Sequence, residues 1–304
     1  MGVRKLRCLG RARERRLTPR SSGAPTAGHQ ARSGGTRYIF ASPGLASCRC
    51  RPLSSNVRRH RNHPLMARPP KPGKCVHCLR TPVGRNWDHV FPESWYPETT
   101  PANLAKWKIP SCVRCNRELG AVESEFFVRI ALCLDPNAPA FKGLSEKALR
   151  AMSPKYASTA ADKRARESIG RRITSELLQG EQIPDEGIFP ALGERWGRPR
   201  GSGITLVIPA ESFRRITEKI VRGLTYLGQR QFIEPPHKID FFALDEERAK
   251  SIREVLDRAG STLAREPGIV VRRATALEDG ISAFYEIEFW QQFKTYATVL
   301  ADDA

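Results

Sequence analysis

The sequence predicts an α+β protein built as a small cysteine-tied domain, a helical linker region and a C-terminal α+β domain. Three observations carry that expectation. Cys75-x-x-Cys78 and Cys112-x-x-Cys115 form two knuckles around one loop, with the ligand number and spacing that a tetrahedral structural zinc ion requires. Directly after the second knuckle, Leu119, Val122, Phe126 and Ile130 recur at helical spacing. Beyond Ile204, short apolar runs suited to strands alternate with helical stripes, and no internal repeat is present.

Length and charge bound these elements. The 304 residues suffice for two small domains and a tail. The formal net charge is +19, but residues 1–65 hold fourteen Arg and one Lys against a single acid, Glu14, which leaves 36 basic and 31 acidic residues for 66–304. The remainder is only mildly basic, so local patches rather than overall charge must argue for a nucleic-acid partner. No run of eighteen or more apolar residues occurs, which argues against a membrane span. Eight cysteines in a long chain without an apolar signal core, four of them in knuckles, suit a reducing compartment, and a cytoplasmic location is expected.

Residues 1–65 are rich in Arg, Ser, Gly and Pro, show no apolar periodicity, and are expected to be a disordered basic extension. Three readings compete for them: an Arg- and Ser-rich organellar targeting leader, a basic arm for phosphate, or sequence upstream of a natural start at Met66. The third is preferred because MARPPKPGKC leads straight into the first knuckle, and Cys8, Cys48 and Cys50 then need no role. Residues 66–140 are the cysteine-tied domain. Its helix is expected from 113 to about 134, stopped by Asp135-Pro136, with Cys133 near the end as a small buried hydrophobe.

Residues 141–200 form the helical and linker region. A helix over 157–178 carries Lys163, Arg164, Arg166, Arg171 and Arg172, read as a solvated face in preference to a phosphate-binding one, and the Gly- and Pro-rich stretch 180–203 reads as linker. Residues 201–304 then give strands at 204–208, 239–244 and 269–271, and a strand through Tyr285, Ile287 and Phe289. Helices are expected through Phe213, Ile216, Ile220 and Leu224, with Gly228 near the stop, and over 245–259 with Ile252, Val255 and Leu256 inward. At about a hundred residues this domain is expected to fold on its own. It carries no catalytic motif, and His237 beside Pro235-Pro236 reads as a loop residue.

The chemistry lies between the knuckles. Asp88-His89 and Asn103 sit inside the loop, and the second knuckle runs directly into Asn116, so a carboxylate, an imidazole and two carboxamides are drawn together. The text DHVFPESW, then ANL, then CVRCNRELG resembles the HNH endonuclease family over roughly residues 72–134. The resemblance implies a zinc-stabilised ββα-metal fold, with the D-H pair on a first strand, an Asn in the following loop and a His or Asn on the helix. It implies a metal-dependent endonuclease that hydrolyses DNA phosphodiester bonds. His89 would be the general base, Asp88 and Asn116 would hold a divalent cation, most naturally Mg²⁺, and Asn103 would pin the loop that orients His89. Cys75, Cys78, Cys112 and Cys115 would hold the structural zinc.

Neighbouring residues fill out the expectation. Asn116 stands in the first helical turn, where free backbone N–H groups and the helix dipole favour phosphate. Lys106, Lys108, Arg114 and Arg117 are the nearest candidates for phosphate contact. Gly120 costs the helix about 1 kcal/mol relative to Ala, so it is expected to mark a close approach or a packing contact. His77, between two cysteines, is expected to be exposed, and Trp87, Phe91, Trp95 and Trp107 to form the small domain's core. Two features depart from the family pattern: Asn116 stands where many members have His, and Glu93 puts a negative charge near a DNA backbone unless it points away. The rival reading is a zinc-stabilised nucleic-acid-binding module without turnover, and a third makes the C-terminal domain the functional part. The intact Asp88, His89 and Asn116 set favours the enzyme.

Overall fold

The computed structural model describes residues 37–41, 68–134, 139–179, 182, 204–242, 246–265, 268–291 and 293–301. The cysteine-tied region begins with an antiparallel hairpin. Strand β2 (Arg85–His89) pairs with β3 (Lys108–Cys112), so that His89 lies opposite Lys108 and Asp88 opposite Ile109. Helix α1 (Val113–Ala131) follows β3 without a break. The Cys112 side chain is its N-cap, accepting from the Cys115 backbone N–H at 3.4 Å. The first half of α1 buries only one stripe, whereas Phe126 to Ala131 are buried all round, which marks a helix that runs into the core.

One strand precedes this region. β1 (Arg37–Ala41) pairs antiparallel with β5 (Ile204–Pro209), which also pairs with β4 (Leu177–Gln179). This corrects the expectation that residues 1–65 are wholly without structure. The short run RYIFA holds β-formers whose ladder partner lies far along the chain, a signal too short for periodicity to reveal. Cys8, Cys48, Cys50, Asp135-Pro136 and most of the expected 180–203 linker lie outside the described residues.

The middle region holds two helices where one was expected. α2 (Leu144–Met152) is additional, and α3 (Ala160–Ser175) is shorter than expected because Thr159 caps it, accepting from Asp162 N–H at 3.1 Å. On α3, Arg166 pairs with Asp162 at 2.8 Å and Arg172 reaches Glu125 of α1 at 2.7 Å.

After β5 comes α4 (Ala210–Gln229), whose buried face includes Phe213, Ile216, Ile220 and Leu224. A Cβ at Gly223 would stand 2.9 Å from Val90 Cγ2 and 3.3 Å from Ile109 Cδ1, so glycine is what lets α4 press this closely on the hairpin. Strands β6 (His237–Phe242), β7 (Ser261–Arg265), β8 (Ile269–Thr275), β9 (Ala283–Phe289) and β10 (Phe293–Ala301) build one antiparallel sheet in the order β6-β10-β9-β8-β7. Helix α5 (Glu246–Ala259) covers one face, with Ile252 and Leu256 against Ala274 and Tyr296.

The other face of that sheet enters a core shared with the cysteine-tied region. Trp95 lies with its ring centroid 5.7 Å from Phe126 and 5.5 Å from Trp290, and Phe126 is 4.9 Å from Phe213. One buried cluster runs from Val76 and Val90 through α1 and α4 to Phe289 and Val299, and the described residues fall in one compact unit. The boundary expected near residue 200 is therefore not a boundary in the core. The stripes read from sequence as inward within separate domains are inward towards each other. Among the described residues no helix is long and apolar enough to cross a membrane.

Candidate functional site

The two knuckles come together as expected. The ligand atoms of Cys75, Cys78, Cys112 and Cys115 all lie within 4.8 Å of one another, a set that can hold one metal ion and is compatible with structural zinc. Local hydrogen bonds favour sulfur as an acceptor: Cys112 N–H donates to Cys75 Sγ at 3.2 Å, and Arg80 Nε donates to Cys78 Sγ at 3.4 Å. Burial raises the Cys78 thiol pKa, but the Arg80 guanidinium and neighbouring donors outweigh it and bring it down to about 6. The Cys115 thiol is pushed up, first by burial and then by the sulfurs crowded against it. A cation at the centre would relieve that crowding.

On the hairpin, adjacent side chains point to opposite faces, and this separates the Asp-His pair. His89 is half-buried beside Lys108, and its Nε2, itself buried, has no hydrogen-bond partner among the described residues; Glu93 has Oε1 3.5 Å away. Burial lowers the imidazole pKa, with Lys108 and Lys106 adding to the effect against the opposing pull of Glu93, so the neutral ring is favoured. Glu93 does not point away: its Oε1 also takes Lys106 Nζ at 3.0 Å.

Asp88 turns inward. Its Oδ2 lies 2.9 Å from His77 Nε2, and its Oδ1 accepts from Lys219 Nζ at 2.8 Å. Lys219, from α4, also donates to Glu123 of α1. Burial alone would raise the Asp88 pKa, yet the His77 hydrogen bond and the Lys219 charge hold it below the usual carboxylate range. Both carboxylate oxygens are thus committed to hydrogen-bond donors, and the residue is only 4% exposed. This overturns the expectation that His77 is exposed: its side chain is buried against Asp88.

The remaining expected residues divide. Asn116 is half-buried in the first turn of α1, its Nδ2 a long 3.5 Å from the Trp87 carbonyl. Asn103 is exposed in a turn and makes no side-chain hydrogen bond among the described residues. The loop between β2 and β3 is held instead by Trp95, fully buried among Phe126, Phe289 and Trp290, and by Val90 N–H donating to Trp107 O at 3.0 Å. Phe91 and Trp95 are core residues and Trp107 packs against the core, but Trp87 is exposed, its indole N–H donating to Arg68 O at 2.8 Å. Arg114 is paired with Glu118 at 2.7 Å, while Lys108 and Arg117 are exposed with no carboxylate within 4.0 Å among the described residues. A Cβ at Gly120 would meet nothing within 4 Å, so neither a backbone close by nor packing within the protein accounts for it.

The Mg²⁺ expectation does not fit this arrangement. A hard divalent cation needs free oxygens and room for water, and Asp88 offers neither. Lys219 and Glu123, which the sequence reading missed, carried one legible signal. Lys219 falls among the buried positions of α4, where an unpaired lysine would be costly and a partner must therefore exist. Nothing local identifies that partner as Asp88, 131 residues earlier.

Comparison with models of known protein families, with curated proteins and with solved structures gave no match.

Proposed function

We propose that the chain is a nucleic-acid phosphodiester hydrolase, with DNA as the expected substrate and His89 as the general base. The observation that carries this reading is the His89 imidazole, whose pKa burial lowers, set at the end of β2 directly across from Lys108, with an Nε2 that is buried behind Glu93 Oε1 at 3.5 Å and has no hydrogen-bond partner among the described residues. A phosphate drawn to Lys108 and Lys106 would compete with Glu93 for Lys106, and once Glu93 swings away the uncovered Nε2 could take a proton from the attacking water. General-base assistance of this kind contributes about 10²–10⁴-fold in rate. The developing negative charge on the phosphoryl oxygens would be met by Lys108, by Lys106 once released from Glu93, and by the N-terminal turn of α1 with Asn116 and Arg117. The knuckle cysteines would hold structural zinc, which fixes the start of α1 relative to the hairpin and takes no part in the chemistry. Support comes from the hairpin-then-helix order over residues 85–131 and from the motif resemblance.

The second reading is a zinc-stabilised nucleic-acid-binding module without turnover. It is favoured by Asp88, whose carboxylate is sealed between Lys219 and His77 and plays a structural part. Incubating the zinc-loaded chain with supercoiled plasmid, single-stranded DNA and RNA separates the two. Cut product from any of them supports the hydrolase, and retention of the substrate in a gel-shift assay without cutting assigns the binding module.

A further inference from the structure

We propose that the ammonium group of Lys219 is the resident cation of the Asp88 carboxylate, taking up an oxygen that the resemblance gives to a divalent ion, and that the hairpin carries no divalent-metal site through Asp88 as long as Lys219 is present. Lys219 is 2% exposed and sits between two carboxylates from two other elements, Asp88 of β2 and Glu123 of α1. Two carboxylates converging on one buried point are oxygen ligands of the type a hard divalent cation takes, and here the point is occupied by a side chain. His77 closes the second oxygen of Asp88. A divalent ion entering would have to displace the ammonium or lie against it, and at low effective dielectric that repulsion is large.

The fold holds the backbone of Lys219 in place. Gly223, one helical turn further along α4, lies so close to Val90 and Ile109 that the helix is fixed against the hairpin. The cavity of about 150 Å³ beside His77 and Lys219 is lined by Arg215 and Arg222 and by the knuckle cysteines Cys78 and Cys115, and its two acids, Glu118 and Glu218, are already paired with Arg114 and Arg214. The inference does not depend on the chain cutting nucleic acid.

The test is a Mn²⁺ titration of the full zinc-loaded chain, following the electron paramagnetic resonance signal of the free ion. The parent is expected to take up no Mn²⁺ that Asp88→Asn abolishes. Lys219→Ala, which leaves Asp88 and Glu123 facing a vacated position, is expected to gain one bound Mn²⁺ that the parent lacks, and to lose it again when Glu123→Gln is added. A parent chain that binds one Mn²⁺ through Asp88 overturns the proposal, as does a folded Lys219→Ala protein with no gain. Should Lys219→Ala fail to fold, the parent and Asp88→Asn comparison decides alone.

Discussion

Alternation along an extended strand puts adjacent side chains on opposite faces, so Asp88 and His89 cannot serve one pocket in the same way. His89 keeps the outer face with Lys108, and Asp88 takes the inner one with Lys219 and His77. Lys108, exposed and without a carboxylate partner, should contribute one phosphate contact. Lys108→Ala is therefore expected to weaken DNA binding evenly across sequences and to reduce the slope of log affinity against log salt by about 1. An unchanged slope in fluorescence-anisotropy titrations would remove Lys108 from the interface. At this scale the sequence displayed the reactive residue types but not their surroundings. The Asp-His pair and the four cysteines are local patterns, whereas the partners that set the environment of Asp88 come from α1 and α4, and those of Trp95 from β9 and the turn after it.

Elements with a clear apolar stripe were legible, since burial of one face imposes its period on the residues. The stripes on α1 and α4 and the alternation in β9 belong to this kind. β10 and its hairpin with β9 were not legible, because the turn uses Trp290 and Gln291 in left-handed backbone where glycine or asparagine would have signalled it. Burial of Trp290 against Trp95 and Phe127 holds that conformation in place. Two predictions belong to α1. Gly120 lies mid-helix with open space around it, so Gly120→Ala should stabilise the protein by about 1 kcal/mol in urea unfolding, and a destabilised variant would point to a contact at that position. Cys112 is both a knuckle sulfur and the N-cap of α1. Cys112→Ser should lower bound metal from one zinc per chain and unfold the hairpin–helix unit, because structural zinc supplies folding free energy on the order of 10 kcal/mol. A variant that melts like the parent while zinc-free would refute the structural role of the metal.

For the molecule as a whole, the α+β class was legible but the division into domains was not. Spacing shows that a face is buried without showing what buries it, and here the sheet of the C-terminal half is covered by α4, α1 and the Trp95 loop. A fragment starting at residue 204 would expose Phe126's partner Phe213 and the Trp95-facing surface of Phe289 and Trp290. It is expected to be unfolded or aggregated by circular dichroism, and a cooperative melt of that fragment alone would contradict the shared core. The central claim, that this whole assembly presents His89 as a general base to a nucleic-acid phosphodiester, is tested most directly by plasmid nicking with the parent and His89→Ala proteins, each checked for zinc content and melting temperature. The predicted result is a loss of about 10²–10⁴-fold in nicking rate with folding, zinc and DNA binding retained. A His89→Ala protein that nicks as fast as the parent would contradict it.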